Sequence, residues 1–263
     1  MEIIGYIGAV LIGLSLGLIG GGGSILSVPI LVYMFSIEPV MATSYSLFIV
    51  GITSLVGSIS HIKQKTISFK TAVVFGIPSV VTVFLTRKFL IPAIPQEIAK
   101  IGSFTLTKSV TLLVLFAAVM ILASYFMIKK ENPVKSPSKN SGNKYFMILA
   151  EGTIVGLLTG LVGAGGGFLI IPALVLLAKL PIKQAIGTSL LIISAKSLIG
   201  FLGDINTDSI IDWQFLVTFS GISLLGMLVG MYLFKKVSAK SLKPAFGWFV
   251  LIIGVLIILK EIC

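Results

Sequence analysis

Residues 17–29 read Gly-Leu-Ile-Gly-Gly-Gly-Gly-Ser-Ile-Leu-Ser-Val-Pro, and residues 160–172 read Gly-Leu-Val-Gly-Ala-Gly-Gly-Gly-Phe-Leu-Ile-Ile-Pro. The second stretch repeats the first. Extended outward at the same offset, 13–57 aligns on 156–200 without a gap, and about 18 of 45 positions are identical, the signature of an internal duplication. The identities include Gly17/Gly160, Gly20/Gly163, Gly22/Gly165, Gly23/Gly166, Pro29/Pro172, Ser46/Ser189, Ser54/Ser197 and Gly57/Gly200. Shared apolar composition produces Leu and Ile coincidences, not a Gly-Pro-Ser skeleton in register.

The solvent of this chain is lipid. Hydrophobic residues make up 56% of it and charged residues 11%, and the mean hydropathy is +1.12. Soluble domains are about 25% charged. Apolar runs of the roughly 17–25 residues that cross a bilayer recur along the whole length. Each half reads as five apolar segments: near 2–19, 24–35, 39–60, 69–90 and 109–128, then near 145–162, 167–178, 181–202, 213–234 and 244–260. The fold class expected is an all-α polytopic membrane protein. Its parts are a first membrane repeat (1–130), a linker (131–143) and a second repeat (144–263). The second segment of each half, about 12 residues or ~18 Å of helix, is too short to span ~30 Å of hydrocarbon. It is either a half-helix or the return arm of a hairpin.

Charge sets the orientation. With the linker in the cytoplasm and each first-plus-second pair counted as an out-and-back excursion, about 14 basic residues fall inside and 5 outside, a positive-inside bias. Both termini are then outside the cytoplasmic membrane, and the halves are inverted relative to one another, an architecture common among secondary transporters. The net charge of +11 belongs to short loops facing anionic lipid, so no nucleic-acid partner is expected. The single cysteine, Cys263, and the single histidine, His61, cannot build the usual metal clusters. No cofactor, metal or catalytic group is expected; oligomeric state is not legible.

Three features carry chemistry. The tracts Gly20, Gly21, Gly22, Gly23, Ser24 and Gly163, Gly165, Gly166, Gly167 interrupt helices, which lipid tolerates only where the backbone packs inside protein or lines a cavity. Two facing helix starts near the midplane offer N–H donors to an anion; close packing is the other reading. Gly13/Gly17 and Gly156/Gly160 are small-xxx-small patterns that bring helices together. A hydroxyl stripe on the third segment (Thr43, Ser44, Ser46, Thr53, Ser54; Thr188, Ser189, Ser194, Ser197) turns inward, to bond a neighbour or to line a path. Lys196, in mid-segment, costs roughly 2.5–3.5 kcal/mol on insertion scales, so it faces a cavity or a partner. The partner candidates are an anion or Asp204, and snorkelling of the side chain is the remaining alternative. His61 and Glu151 are the groups available for proton coupling.

The paired glycine–proline stretches resemble the signature of the TauE/SafE sulfite and organosulfonate exporter family. Ala185-Ile-Gly-Thr-Ser-Leu190 and Ile211-Asp-Trp213 are similar to that family as well. The first half departs from it, with Ala42-Thr-Ser-Tyr-Ser-Leu47 where Gly-Thr-Ser is more typical. The resemblance implies movement of a small sulfur-containing anion such as sulfite or sulfoacetate, usually export. A related thiosulfate-uptake type relies on membrane cysteines, which this chain lacks within its spans. An anion channel, an uptake permease for another small anion and a flux-free scaffold are the alternatives.

Overall fold

The computed structural model describes residues 2–101, 104–128, 144–163, 165–176, 178–205, 211–234 and 239–262. The linker 131–143 lies outside them. The helices are α1 (Glu2–Ile19), α2 (Ser27–Phe35), α3 (Pro39–Lys63), α4 (Phe69–Leu85), α5 (Ile91–Ala93), α6 (Lys108–Ile128), α7 (Lys144–Val162), α8 (Gly167–Leu176), α9 (Ile182–Asp204), α10 (Trp213–Phe234) and α11 (Ala239–Ile262). A 3₁₀ turn, Gly21–Leu26, leads into α2, and a π turn, Thr86–Leu90, joins α4 to α5. Among the described residues, five of these runs are long and apolar enough to cross a bilayer: Pro39–Lys63, Phe69–Ala93, Lys108–Tyr125, Ile182–Asp204 and Trp213–Leu233.

The fold is all-α in class, and one short element is added to it: β1 (Glu97–Ile101) pairs antiparallel with β2 (Phe104–Thr107). This ribbon joins α5 to α6. The stretch after Pro95 carries Glu97 and Lys100 among its apolar residues, too polar and too short for another span, and a two-stranded ribbon satisfies its backbone.

The short second segments are return arms. A methyl group placed on Gly5 would stand 2.2 Å from the Phe35 ring, and one on Gly8 3.0 Å from Ile30. The two ends of the α1–α2 hairpin therefore lie side by side. Tyr6, Phe35, Phe215 and Phe219 pack ring against ring, holding this hairpin to α10. In the second half, Ile148 and Val155 of α7 share one apolar cluster with Ile170 and Leu174 of α8. The hairpins even stop alike. Ile37 N–H donates to Leu31 O and Leu180 N–H to Leu174 O, each closing over a left-handed residue, Ser36 (φ 54°) and Lys179 (φ 57°). These pairs are equivalent in the sequence repeat, and both closures satisfy carbonyls at a helix end.

Equivalent helices exchange partners across the halves. α1 packs along α10 and its counterpart α7 along α4; α3 packs on α9, and α6 on α11. Gly51 lies against Leu198, Gly57 against Leu190 and Gly200 against Leu47, so α3 and α9 run antiparallel. Gly247 against Met127 and Gly254 against Ala117 give the same sense for α6 and α11. The small-xxx-small glycines make the exchange possible: Gly13 and Gly17 meet the α10 backbone, Gly156 the α4 backbone and Gly160 the Thr86 side chain.

A methyl on Gly13 would stand 1.7 Å from Ser223 O, and one on Gly156 2.6 Å from Ser79 O. Gly13→Ala and Gly156→Ala should each cost about 1–3 kcal/mol through overpacking. Gly221, with nothing within 4 Å of its methyl position, should instead gain up to ~1 kcal/mol as alanine. Thermal unfolding of the three variants in detergent checks the order; an equal melting temperature for all would remove the interlocked helix pairs from the account of stability.

Candidate functional site

The two glycine tracts meet where the halves cross. A methyl on Gly21 would stand 2.3 Å from Gly167 Cα, and one on Gly167 2.1 Å from Gly21 Cα. At this point the tracts serve close packing, backbone on backbone. Gly20 and Gly163 share a positive φ (73° and 74°), which glycine adopts without steric cost. Their surroundings also correspond: Gly20 abuts Ile186, and Gly163 abuts Thr43, its repeat equivalent. Gly22 and Ser24 are buried within the 3₁₀ turn.

Beyond Gly20 and Gly163 the tracts diverge. The first continues as the 3₁₀ turn, in which Ser24 Oγ donates to Gly21 O at 2.8 Å. The second passes through left-handed Gly165 and Gly166 before α8 begins. The position of Ser24 is occupied there by Gly167, which has no hydroxyl to close a tight turn. Ser24 itself lies against Gly165.

Lys196 stands at the centre. Its counterpart Thr53 and Lys196 itself both fall between the contacts Gly51–Leu198 and Gly57–Leu190, midway along the α3–α9 crossing. The side chain is wholly buried. Nζ donates to Thr159 Oγ1 at 2.9 Å, and a methyl on Gly166 would come within 2.8 Å of it. Among the described residues the ion pairs are Arg87–Asp204 and Lys100–Glu97, so Lys196 has no carboxylate. Asp204, the partner candidate in the sequence, is engaged by Arg87.

The hydroxyl stripe is buried throughout, and much of it is spent locally. Thr43, Thr53, Ser189 and Ser194 donate to carbonyls of their own helices. Ser46 bonds Ser27 and donates to Gly163 O at 2.7 Å, tying α3 to the opposite glycine turn. Ser54 and its equivalent Ser197 each bury a hydroxyl with no partner among the described residues. Thr188 lies two turns from Lys196 and accepts the Ser68 N–H. His61 is at the same end, with Nδ1 2.9 Å from Thr66 Oγ1 and its ring against Gly187. Glu151 shares a helix face with Val155 and Thr159, about 12 Å from Thr159 along α7, and its Oε2 is buried without a partner among the described residues.

Sequence reasoning missed the opposite end. Arg87, at the end of the apolar segment 69–90, counts in the sequence only as one of the outside basic residues, yet its side chain is 1% exposed. Nη1 donates to Thr43 Oγ1 at 3.0 Å and to Asp204 Oδ2 at 3.3 Å. The available signal was Phe89-Leu-Ile91, apolar sequence continuing past the charge. Thr159 was missed too; its repeat counterpart is Leu16, so repeat matching hid it.

The sequence model of the family described as Sulfite exporter TauE/SafE matches residues 6–257. A probable membrane transporter protein of Xylella fastidiosa is 29% identical over 258 residues, 95% of this chain and 92% of that one. One from Methanocaldococcus jannaschii is 30% identical over 205 residues, 76% and 69% of the two chains. The probable membrane transporter protein YunE of Bacillus subtilis is 25% identical over 260 residues, 93% of each. No solved structure matches. With several apolar helices and a family match over nearly its whole length, this multi-pass membrane protein belongs to the TauE/SafE sulfite exporter family.

Proposed function

We propose that the protein is a secondary transporter that exports small sulfur-containing anions, such as sulfite, sulfoacetate or other organosulfonates, across the cytoplasmic membrane. The observation that carries this is Lys196: a lysine side chain wholly buried at the crossing of the two halves, with a hydroxyl and, among the described residues, no carboxylate beside it. Taking a lone charge out of water costs several kcal/mol even after relaxation. An anion held there offsets that cost in passing. Ser54 and Ser197, whose hydroxyls are unpartnered among the described residues, and Ser24, Ser46, Ser189, Gly163, Gly165, Gly166 and Gly167 are the other contacts proposed for it.

The halves act as inverted repeats in this reading, with the linker cytoplasmic and both termini outside. The antiparallel crossing of equivalent helices and the exchanged helix pairs support it. Alternating access in such proteins moves one unit against another around a fixed site. The glycine tracts, equivalent in sequence and different in backbone, are the hinges that suit that motion. Glu151, or His61, couples the movement to protons.

Flux of labelled sulfite, then sulfoacetate and taurine, into proteoliposomes tests the assignment. Wild type should transport at least one of the three, and Lys196→Met should lower its flux tenfold or more; unchanged flux and affinity would remove Lys196 from the path. Glu151→Gln should abolish stimulation by a proton gradient while sparing substrate exchange. A gradient response that survives in Glu151→Gln and disappears in His61→Gln would move the coupling to His61.

A further inference from the structure

Arg87 and Lys108 share a cavity of about 60 Å³ at the end of the molecule where α3 begins and α9 ends. Ser44, Asp204 and Ile211 also line it. Its volume is several times the ~10–15 Å³ that one water requires. Arg87 is 1% exposed and Lys108 6%. Arg87 sits in the π turn, an irregularity that re-aims side chains and recurs at functional sites. Its Nη1 is used by Thr43 and Asp204. Nε and Nη2 are buried with no hydrogen-bond partner among the described residues. Those two nitrogens form the edge of a guanidinium that grips an oxyanion through two parallel N–H bonds. Lys108 adds a second cation, in neither of the described ion pairs. The rim acid Glu38 is already engaged, accepting from Met41 N and Ser109 Oγ.

Arg87 and Lys108 are the cations that line the cavity and Asp204 its carboxylate, with Glu38 also close enough to act on Lys108. A purely structural Arg–Asp pair would not leave the bidentate edge without a partner among the described residues, because an unmade hydrogen bond to a buried charged group is costly. We propose that Arg87 and Lys108 form a second anion site, for a small oxyanion such as sulfite or a sulfonate head group, in series with Lys196. Thr43 links them: it accepts from Arg87, and Gly163 packs against it. Three residues further on, Gly166 packs against Lys196 Nζ. The serial role rests on the transport reading above, whereas binding at Arg87 does not.

Calorimetric titration of sulfite into the full-length protein in nanodiscs tests this. Wild type should show two binding events, and Lys196→Met should retain one. In the Lys196→Met background, Arg87→Lys keeps the charge beside Asp204 but loses the two-pronged edge, and Lys108→Met leaves the Arg87–Asp204 pair intact. Each should weaken the remaining event at least tenfold without changing the elution profile of the folded protein. Loss of all binding in Lys196→Met, or remaining binding indifferent to both substitutions, would overturn the outer site. If Lys196→Met still shows both events while Arg87→Lys weakens one, the outer site stands and the central assignment fails.

Discussion

The contact of Gly21 with Gly167 is the constraint on which the rest depends. A membrane offers no water to a broken helix, so every irregular stretch must be buried in protein. Here each half buries the break of the other. Both breaks can lie this close only because neither position carries a Cβ, and the hairpins that bear them are aligned by α3 and α9. Those two helices are in turn held by the exchanged pairs α1–α10 and α4–α7, whose glycines admit backbone to backbone contact. Stability and the position of the central lysine therefore have one origin. A residue that spreads a helix pair also moves Gly166 relative to Lys196.

Duplication gives the two halves the same sequence skeleton, and the departures from it carry the chemistry. At the crossing point one half supplies Thr53 and the other Lys196. Threonine satisfies itself, donating to Ile49 O four residues back. Lysine cannot, and reaches across to Thr159 instead. Ser24 and Gly167 differ in the same way: a hydroxyl closes one tract into a 3₁₀ turn, and its absence leaves the other as an open left-handed turn. Asymmetry of this kind suits a protein that must hold its two faces in different states.

Much of the architecture was legible because periodic apolar runs and an ungapped repeat are properties of the chain itself. The positions of the long spans and the packing role of Gly13 and Gly156 follow from length and spacing, whereas length alone left the short segments as either half-helices or return arms. The ribbon at 97–107 was not legible, since a pattern of spans assigns no structure to a polar connection. Nor was the destination of Asp204. Sequence proximity offers it to Lys196, two turns away on the same helix, but Arg87 arrives from the π turn after α4, 117 positions distant in the chain. Long-range pairing of charges depends on which helices exchange partners, and composition carries no record of that. The hydroxyl stripe was legible as inward-facing but not in its use, because a serine bonding its own helix and a serine left open have the same sequence pattern.

The two ends of the molecule now read differently. Toward His61 the polar groups are neutral or solvated and close on one another: Thr188 with Ser68, His61 with Thr66. Toward Arg87 they are charged, buried and incompletely satisfied. On the reading proposed above, an anion at Lys196 would next meet Arg87 and Lys108, and in a medium of low dielectric neighbouring charges act strongly on one another. Arg87 is already bound to Asp204, and its Nε–Nη2 edge is the part left for such a passage among the described residues.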